Sequence, residues 1–232
     1  MNIQKAERPS DTLQLEVHSI FKTIQGEGPF QGTPCVFIRL SGCNLQCPFC
    51  DTDYTSKRKT MWVSHITQEV KKLQTGGLVV ITGGEPFRQK NITTMFDDLL
   101  TAGFYVQVET NGTIKPQGYD FESKEVYVVV SPKTQKIQPI FHQIACAFKY
   151  VGNAVDLLAS HDGLPITVLG FPIVWGRTVA RPNSDFSGKI YLQPEDNEKA
   201  WINKDNEKAC VKSCLTHGYI FNIQLHKYLG LQ

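Results

Sequence analysis

Short runs rich in β-branched and aromatic residues recur along the chain, with helix-patterned segments between them, and this alternation leaves few folds open. The runs are Leu13–Ile20, Val36–Leu40, Leu78–Ile81, Phe104–Glu109, Val126–Val130, Ile166–Leu169, Lys189–Leu192 and Tyr219–Leu225, and all read as strands. Between them Ser64 is placed to cap a helix through Leu73, closed by Gly76 and Gly77. Asn91 is placed to cap another, whose Met95, Phe96, Leu99 and Leu100 share a face before Gly103 ends it. Pro139–Ala147 predicts a third helix, and Asp196 a cap for one reaching toward Gly218. Strands alternating with helices imply parallel βα units and an α/β architecture. Residues 1–12 read as a loose leader and 13–232 as a single domain, within which Gly170–Gly188 fits no element and reads as an insertion or lid.

In folds of this kind the chemistry sits in loops that follow the strands. The unusual residues fall there. A cysteine cluster follows Val36–Leu40, TGGEP follows Leu78–Ile81, ETNG ends Phe104–Glu109, SPK follows Val126–Val130, and QPED follows Lys189–Leu192. A purely structural domain has no need of five such strand ends.

Bulk properties exclude several classes. Lys plus Arg number 24 against 22 Asp plus Glu, so net charge makes no case for nucleic acid or an anionic membrane as partner. No apolar run could span a bilayer, and the first dozen residues lack the apolar stretch of a signal peptide. A cytosolic location is the expectation. Seven cysteines are an odd number and unevenly spread, which does not suit a secreted disulfide framework.

Three of the seven form Cys43-Asn-Leu-Gln-Cys47-Pro-Phe-Cys50, a loop that Gly42 helps to wrap. Thiolates at this spacing suit an iron–sulfur cluster or zinc. Three ligands leave one iron of a 4Fe-4S cube open to another molecule, whereas structural zinc asks for four closed ligands. A zinc site completed by Cys35 or a distant histidine is the competing reading. Cys35 and Cys146 otherwise read as inert core residues, as do Cys210 and Cys214, one helical turn apart. Among the other loops, Gly83 and Gly84 allow backbone to approach a ligand closely, and Glu85 is a partner for an amine. Ser131 suits a ribose or carboxylate, and Lys133 an anionic group.

The CxxxCxxC spacing after an early strand resembles the signature of the radical S-adenosylmethionine superfamily. The resemblance implies a partial (β/α) barrel of about six parallel strands with outer helices. It implies a 4Fe-4S cluster on Cys43, Cys47 and Cys50, whose open iron chelates the methionine moiety of S-adenosylmethionine, with one-electron cleavage to a 5′-deoxyadenosyl radical. Phe49, before the last cysteine, would lie near the adenine. TGGEP resembles that superfamily's GGEP loop, so Gly84 and Glu85 would face the cofactor, as would Glu109.

Further motifs narrow the resemblance. Gln25-Gly26-Glu27-Gly28, FIRLSGCN from Phe37, Cys50-Asp51-Thr52, TGGEP, SPK, QPED and the tail Gln224-Leu225-His226-Lys227-Tyr228-Leu229-Gly230 are together similar to the 7-carboxy-7-deazaguanine synthases. That family contracts the ring of 6-carboxy-5,6,7,8-tetrahydropterin with loss of ammonia, serving queuosine-type deazapurine pathways. By matching positions Ile24, Gln25, Gly26 and Glu27 would touch the pterin, Arg39 would clamp its carboxylate, and Thr82 and Gln232 would contact it. Gly84, Ser131, Pro132, Lys133, Gln193, Pro194, Glu195 and Asp196 would bind S-adenosylmethionine, and Thr52 would contact Mg2+. The resemblance also implies a one-electron reductant such as a flavodoxin or ferredoxin, and a homodimer. A glycyl-radical-activating enzyme shares the three-cysteine loop and is the second enzymatic reading, although it has no need of QGEG or LHKYLG. A zinc-binding interaction module is the third.

Overall fold

The computed structural model describes residues 13–122, 124–169, 178–197 and 199–231. The expected leader, part of the Gly170–Gly188 segment and Gln232 lie outside the described residues. Within them the strands are β1 (Gln14–Ile24), β2 (Pro34–Leu40), β3 (Lys59–Trp62), β4 (Gly77–Gly83), β5 (Phe104–Thr110), β6 (Val126–Val130), β7 (Ala145–Gly152), β8 (Lys189–Pro194) and β9 (Ile220–Phe221). The α-helices are α1 (Val63–Leu73), α2 (Ile92–Thr101), α3 (Phe141–Ile144), α4 (Ala154–Ala159), α5 (Ala200–His217) and α6 (Leu225–Tyr228).

All nine strands form one sheet in the order β3-β1-β2-β4-β5-β6-β7-β8-β9. β2 and β4 through β9 run parallel, and β1 and β3 add an antiparallel edge. Six parallel strands of five to eight residues, followed by the two-residue β9, make the expected partial barrel. Among the described residues no helix is long and apolar enough to cross a membrane.

The period-two alternation of the strands sorts their side chains. One set (Val36, Ile38, Leu40, Val79, Ile81, Val106, Val108, Val128, Phe148, Tyr150 and Leu192) joins the main core. Against it α1 lays Val63, Ile66 and Val70, and α2 lays Met95, Phe96 and Leu99. The opposite set fills the barrel. Cys35, Leu78 and Val80 pack with Phe30, Phe37 and Tyr105 in one small cluster, and Val129, Ala147 and Tyr191 form another. Phe30, from the loop after β1, stands 5.7 Å from the Tyr105 ring and 5.0 Å from that of Tyr127, measured between centroids.

Five sequence expectations are corrected. Pro139–Ala147 is not one helix: α3 ends at Ile144 and the chain turns directly into β7, a strand absent from the sequence reading. Ile166–Leu169 is not a strand; the Thr167 N–H and hydroxyl both donate to Asp156 and hold the backbone in an irregular path. Tyr219–Leu225 pairs only through Ile220 and Phe221. Ser64 does not cap α1, because edge strand β3 runs into Trp62, and Asp196 does not cap α5, which starts at Ala200.

Candidate active site

A cavity of about 430 Å³ opens at the C-terminal ends of the parallel strands, a volume suited to a cofactor together with a small substrate. The strands deliver its polar wall through the same alternation that builds the core. β2 presents Phe37 and Arg39, β4 Thr82, β5 Glu109, β7 Lys149 and Val151, and β8 Gln193. The floor is the apolar layer around Leu78 and Val80.

The cysteine loop forms one rim. Cys43, Cys47 and Cys50 all line the cavity, as do Phe49 and Thr52. Cys43 is buried and its Sγ accepts the Leu45 N–H at 3.4 Å. Burial pushes the Cys43 thiol up to about 11, a cost that a bound iron–sulfur cluster removes by holding the thiolate. Among the described residues no three His, Cys, Asp or Glu side chains converge on a single-ion site. Three thiols on a loop that faces a shared cavity, one already given a backbone donor, do fit a cluster.

The loop is held from below by backbone. Gly84 N–H donates to Leu40 O at 3.1 Å and Glu85 N–H to Gly42 O at 2.9 Å. A Cβ on Gly84 would lie 1.6 Å from Gly42 O and 2.9 Å from Cys43 N, so only glycine lets the two loops touch. Glu85 does not line the cavity. Its buried carboxylate accepts from Phe87 N, Thr110 Oγ1 and Asn111 N, at 3.1, 2.7 and 2.8 Å, tying the TGGEP loop to the ETNG loop. Asn111 in turn donates to Asn44 Oδ1 at 3.0 Å, beside Cys43.

The opposite rim joins distant parts of the chain. The loop after β1 runs from Gln25 to Thr33 and is gripped by residues that follow β9. Gly28 N–H donates to Asn222 Oδ1 at 2.8 Å, Leu225 N–H to Gly26 O at 3.1 Å, and Gln31 Nε2 to Ile223 O at 2.8 Å. Gly26 is pressed against His226, where a Cβ would sit 1.9 Å from Nδ1.

A charged cluster lies in the wall. Lys149 Nζ pairs with Glu27 and stands 3.6 Å from Glu109 Oε2. Gln193 and Gln224 also donate to Glu27, at 3.2 and 2.8 Å. Gln25, Gln107 and Thr82 donate to Glu109, at 3.2, 2.9 and 3.4 Å. Burial opposes ionisation of Glu27, but Lys149 outweighs it and its carboxyl lies below the usual range. Burial likewise opposes the charge on Lys149, and Glu109 and Glu27 hold it above the usual lysine range. Burial, with Lys149 nearby, pushes Lys133 down to about 8. Arg39 carries its guanidinium 5.4 Å from the Phe21 ring centroid, and its buried Nε has no hydrogen-bond partner among the described residues.

The structure thus brings most of the sequence-predicted residues to one cavity: Gln25, Glu27, Arg39, Cys43, Cys47, Phe49, Cys50, Thr52, Thr82, Gly84, Glu109, Ser131, Lys133, Gln193, Glu195 and Asp196. Ile24, Gly26 and Pro194 stand behind this lining, and Pro132 faces a smaller neighbouring recess with Phe49 and Tyr150. Sequence reasoning missed Lys149 and gave no site role to Asp51 and Gln224, although both stand in the motifs. Lys149 lay in the unrecognised strand, where a lysine between Phe148 and Tyr150 was the available signal. Asp51 accepts from Gln224 at 2.9 Å and pairs with Lys227 at 3.1 Å.

Residues 37–146 match the family model of the Radical SAM superfamily. The chain is 38% identical over 229 residues to a 7-carboxy-7-deazaguanine synthase of Rickettsia prowazekii, covering 96% of this chain and 91% of the relative. It is 34% identical to that of Rhodospirillum rubrum, covering 96% and 95% respectively. The crystal structure of QueE from Escherichia coli superposes with a TM-score of 0.66 at 24% identity, over 92% of this chain and 95% of that one, a likeness of fold.

Proposed function

The chain belongs to the 7-carboxy-7-deazaguanine synthase family, and we propose that the cavity beside its cysteine loop is where that family's ring contraction takes place. It is a radical S-adenosylmethionine lyase that converts 6-carboxy-5,6,7,8-tetrahydropterin to 7-carboxy-7-deazaguanine with loss of ammonia. Membership sets aside the glycyl-radical-activating and zinc-module readings. The observation that carries the site assignment is the meeting of the three cysteines, a half-buried arginine whose Nε has no hydrogen-bond partner among the described residues, and a carboxylate wall in one cavity.

Cys43, Cys47 and Cys50 would hold the 4Fe-4S cluster. The cluster and S-adenosylmethionine, when bound, supply an electron and a group that abstracts a hydrogen atom. Ser131, Lys133, Gln193, Glu195 and Asp196 line the same cavity as Phe49 and would orient the cofactor. Arg39 is the natural clamp for the substrate carboxylate, because its buried Nε lacks an acceptor among the described residues and its planar fork matches two oxygens. Glu27 and Glu109 offer acceptors to the N–H donors of the pyrimidinone edge. The apolar floor and the grip of residues 222–225 on the loop after β1 would exclude water. Thr52 and the neighbouring Asp51 present hard oxygen donors suited to Mg2+. An external one-electron donor protein and a second copy of the chain complete the proposed working form.

The test is anaerobic turnover with the tetrahydropterin, S-adenosylmethionine, Mg2+ and a low-potential reductant. Formation of 7-carboxy-7-deazaguanine by the wild-type chain, and its loss in Cys47→Ala with loss of iron, is the expected result. Product formation by an iron-free Cys47→Ala protein would refute the assignment.

A further inference from the structure

Lys149 is a charged part of the cavity wall to which the proposed ring contraction assigns no role. It is buried, it projects from β7 into the cavity, and it reaches two carboxylates that come from opposite parts of the fold, Glu27 after β1 and Glu109 on β5. Every other group bonded to those carboxylates is also a donor: the amides of Gln25, Gln107, Gln193 and Gln224 and the hydroxyl of Thr82. A lysine that served only to staple the fold would have no reason to share a cavity wall with its partners.

We propose that Lys149 is a positioning residue that ties Glu27 and Glu109 into a single acceptor edge, and that this edge selects substrates carrying adjacent N–H donors. Carboxylates accept, and two of them with the one lysine between them keep an excess of acceptor capacity along that edge. A 2-amino-pyrimidinone ring presents a ring N–H beside an amino group and satisfies that edge. A 2-oxo ring puts a carbonyl oxygen where the amino group was, against a carboxylate oxygen, and leaves both without a donor, which a buried site punishes severely. The other charged or titratable groups facing the triad are Lys133 after β6, Asp51 in the cysteine loop and Cys35 on β2 beside Glu109. None of these contacts both carboxylates as Lys149 does. Removal of Lys149 would leave two carboxylates to share one buried space, so that one of them takes up a proton in the neutral range and turns from acceptor to donor.

This inference rests on the placing of the pterin against Glu27 and Glu109, and the experiment separates the two. KM and kcat are measured for the 6-carboxytetrahydropterin and for its 2-oxo counterpart with wild type, Lys149→Met, Lys149→Arg, Glu27→Gln and Glu109→Gln, with iron content as the control for folding. Lys149→Met is expected to raise KM for the pterin by about tenfold or more, the scale set by a lost charged hydrogen bond. The change in kcat should be smaller, and the preference over the 2-oxo compound should narrow. Its KM should also fall as pH rises from about 6 to 8, when the shared proton leaves, a dependence absent from wild type, and Lys149→Arg should restore part of the affinity. If Lys149→Met loads too little iron, the charge-balanced Glu27→Gln/Lys149→Met double variant is expected to recover the cluster while keeping the high KM. Wild-type KM and preference in either Lys149→Met protein, with Glu27→Gln and Glu109→Gln both impaired, would overturn the role of Lys149 alone. Unchanged KM in both glutamate variants would instead overturn the placing of the pterin, and this inference with it.

Discussion

Replacement of Gly84 by alanine probes the join between the cysteine loop and the sheet. The added Cβ would lie 1.6 Å from Gly42 O and 2.2 Å from Gly42 C, and both are backbone atoms that cannot turn aside as a side chain would. Relief of the overlap requires the two loops to part by roughly 1.5 Å, with strain of about 1–3 kcal/mol. Parting them breaks the bonds from Gly84 N to Leu40 O and from Glu85 N to Gly42 O, at about 1 kcal/mol each. The sum is about 3–5 kcal/mol, which for a domain of this size lowers Tm by roughly 6–20 °C. Because Gly42 precedes Cys43, the displaced segment carries a proposed cluster ligand, so iron content should fall with Tm. The assay is thermal unfolding of the anaerobically reconstituted protein alongside iron per chain. Gly103→Ala is the control: its φ of +87° carries strain, but nothing lies within 4 Å of the new Cβ. That variant should lose about 1–2 kcal/mol and keep its iron. A Gly84→Ala protein with full iron and a Tm equal to wild type would refute the close-approach argument.

Arg39→Ala should retain its cluster and raise the substrate KM by at least about tenfold, as loss of a charged, bidentate hydrogen bond to a carboxylate does; an unchanged KM would remove Arg39 from the substrate site. Thr52→Ala should weaken the response of activity to Mg2+ while iron content stays at the wild-type value, and an identical Mg2+ titration would sink the assignment. Arg181 donates to both oxygens of Asp162, at 2.7 and 3.0 Å, and to three backbone carbonyls, so Arg181→Ala should destabilise by about 2–4 kcal/mol without changing KM. Burial raises the Asp162 carboxyl, but hydrogen bonds from Arg181, Ser160 and the Leu164 N–H bring it below the ordinary range. A depressed carboxyl contributes stability above its unfolded pKa and loses it as pH falls through the folded one. The difference between wild type and Arg181→Ala should therefore shrink in denaturant titrations below about pH 4, and a constant difference would argue against the ion pair.

The sequence carried the parts of the fold and the site that are written in local pattern. A strand followed at once by chemistry-bearing residues is legible because alternation and turn composition are short-range signals, and β2, β4, β5, β6 and β8 were all found this way. β7 was not. Ala145, Cys146 and Ala147 have no β-branched residue among them and follow a helical turn directly, so periodicity ran the helix on through the strand. With the strand went Lys149, whose meaning is set by Glu27, 122 residues away in sequence. Edge strand β3, Lys59–Trp62, is too short and polar to announce itself and forms by pairing with Gln14–Val17. The grip of residues 222–225 on the loop after β1 was equally invisible, since side-chain amides reaching backbone across the barrel leave no trace in either segment alone.

That grip has a consequence for the order in which the protein becomes functional. Asn222 meets Gly28 across 194 positions, so during synthesis the cysteine loop leaves the ribosome long before its far wall exists. Iron and sulfide can reach the three thiols through an open mouth, and the mouth narrows only when the last turns of chain arrive. A chain cut short before residue 222 would present the cysteine loop without the far wall that encloses it.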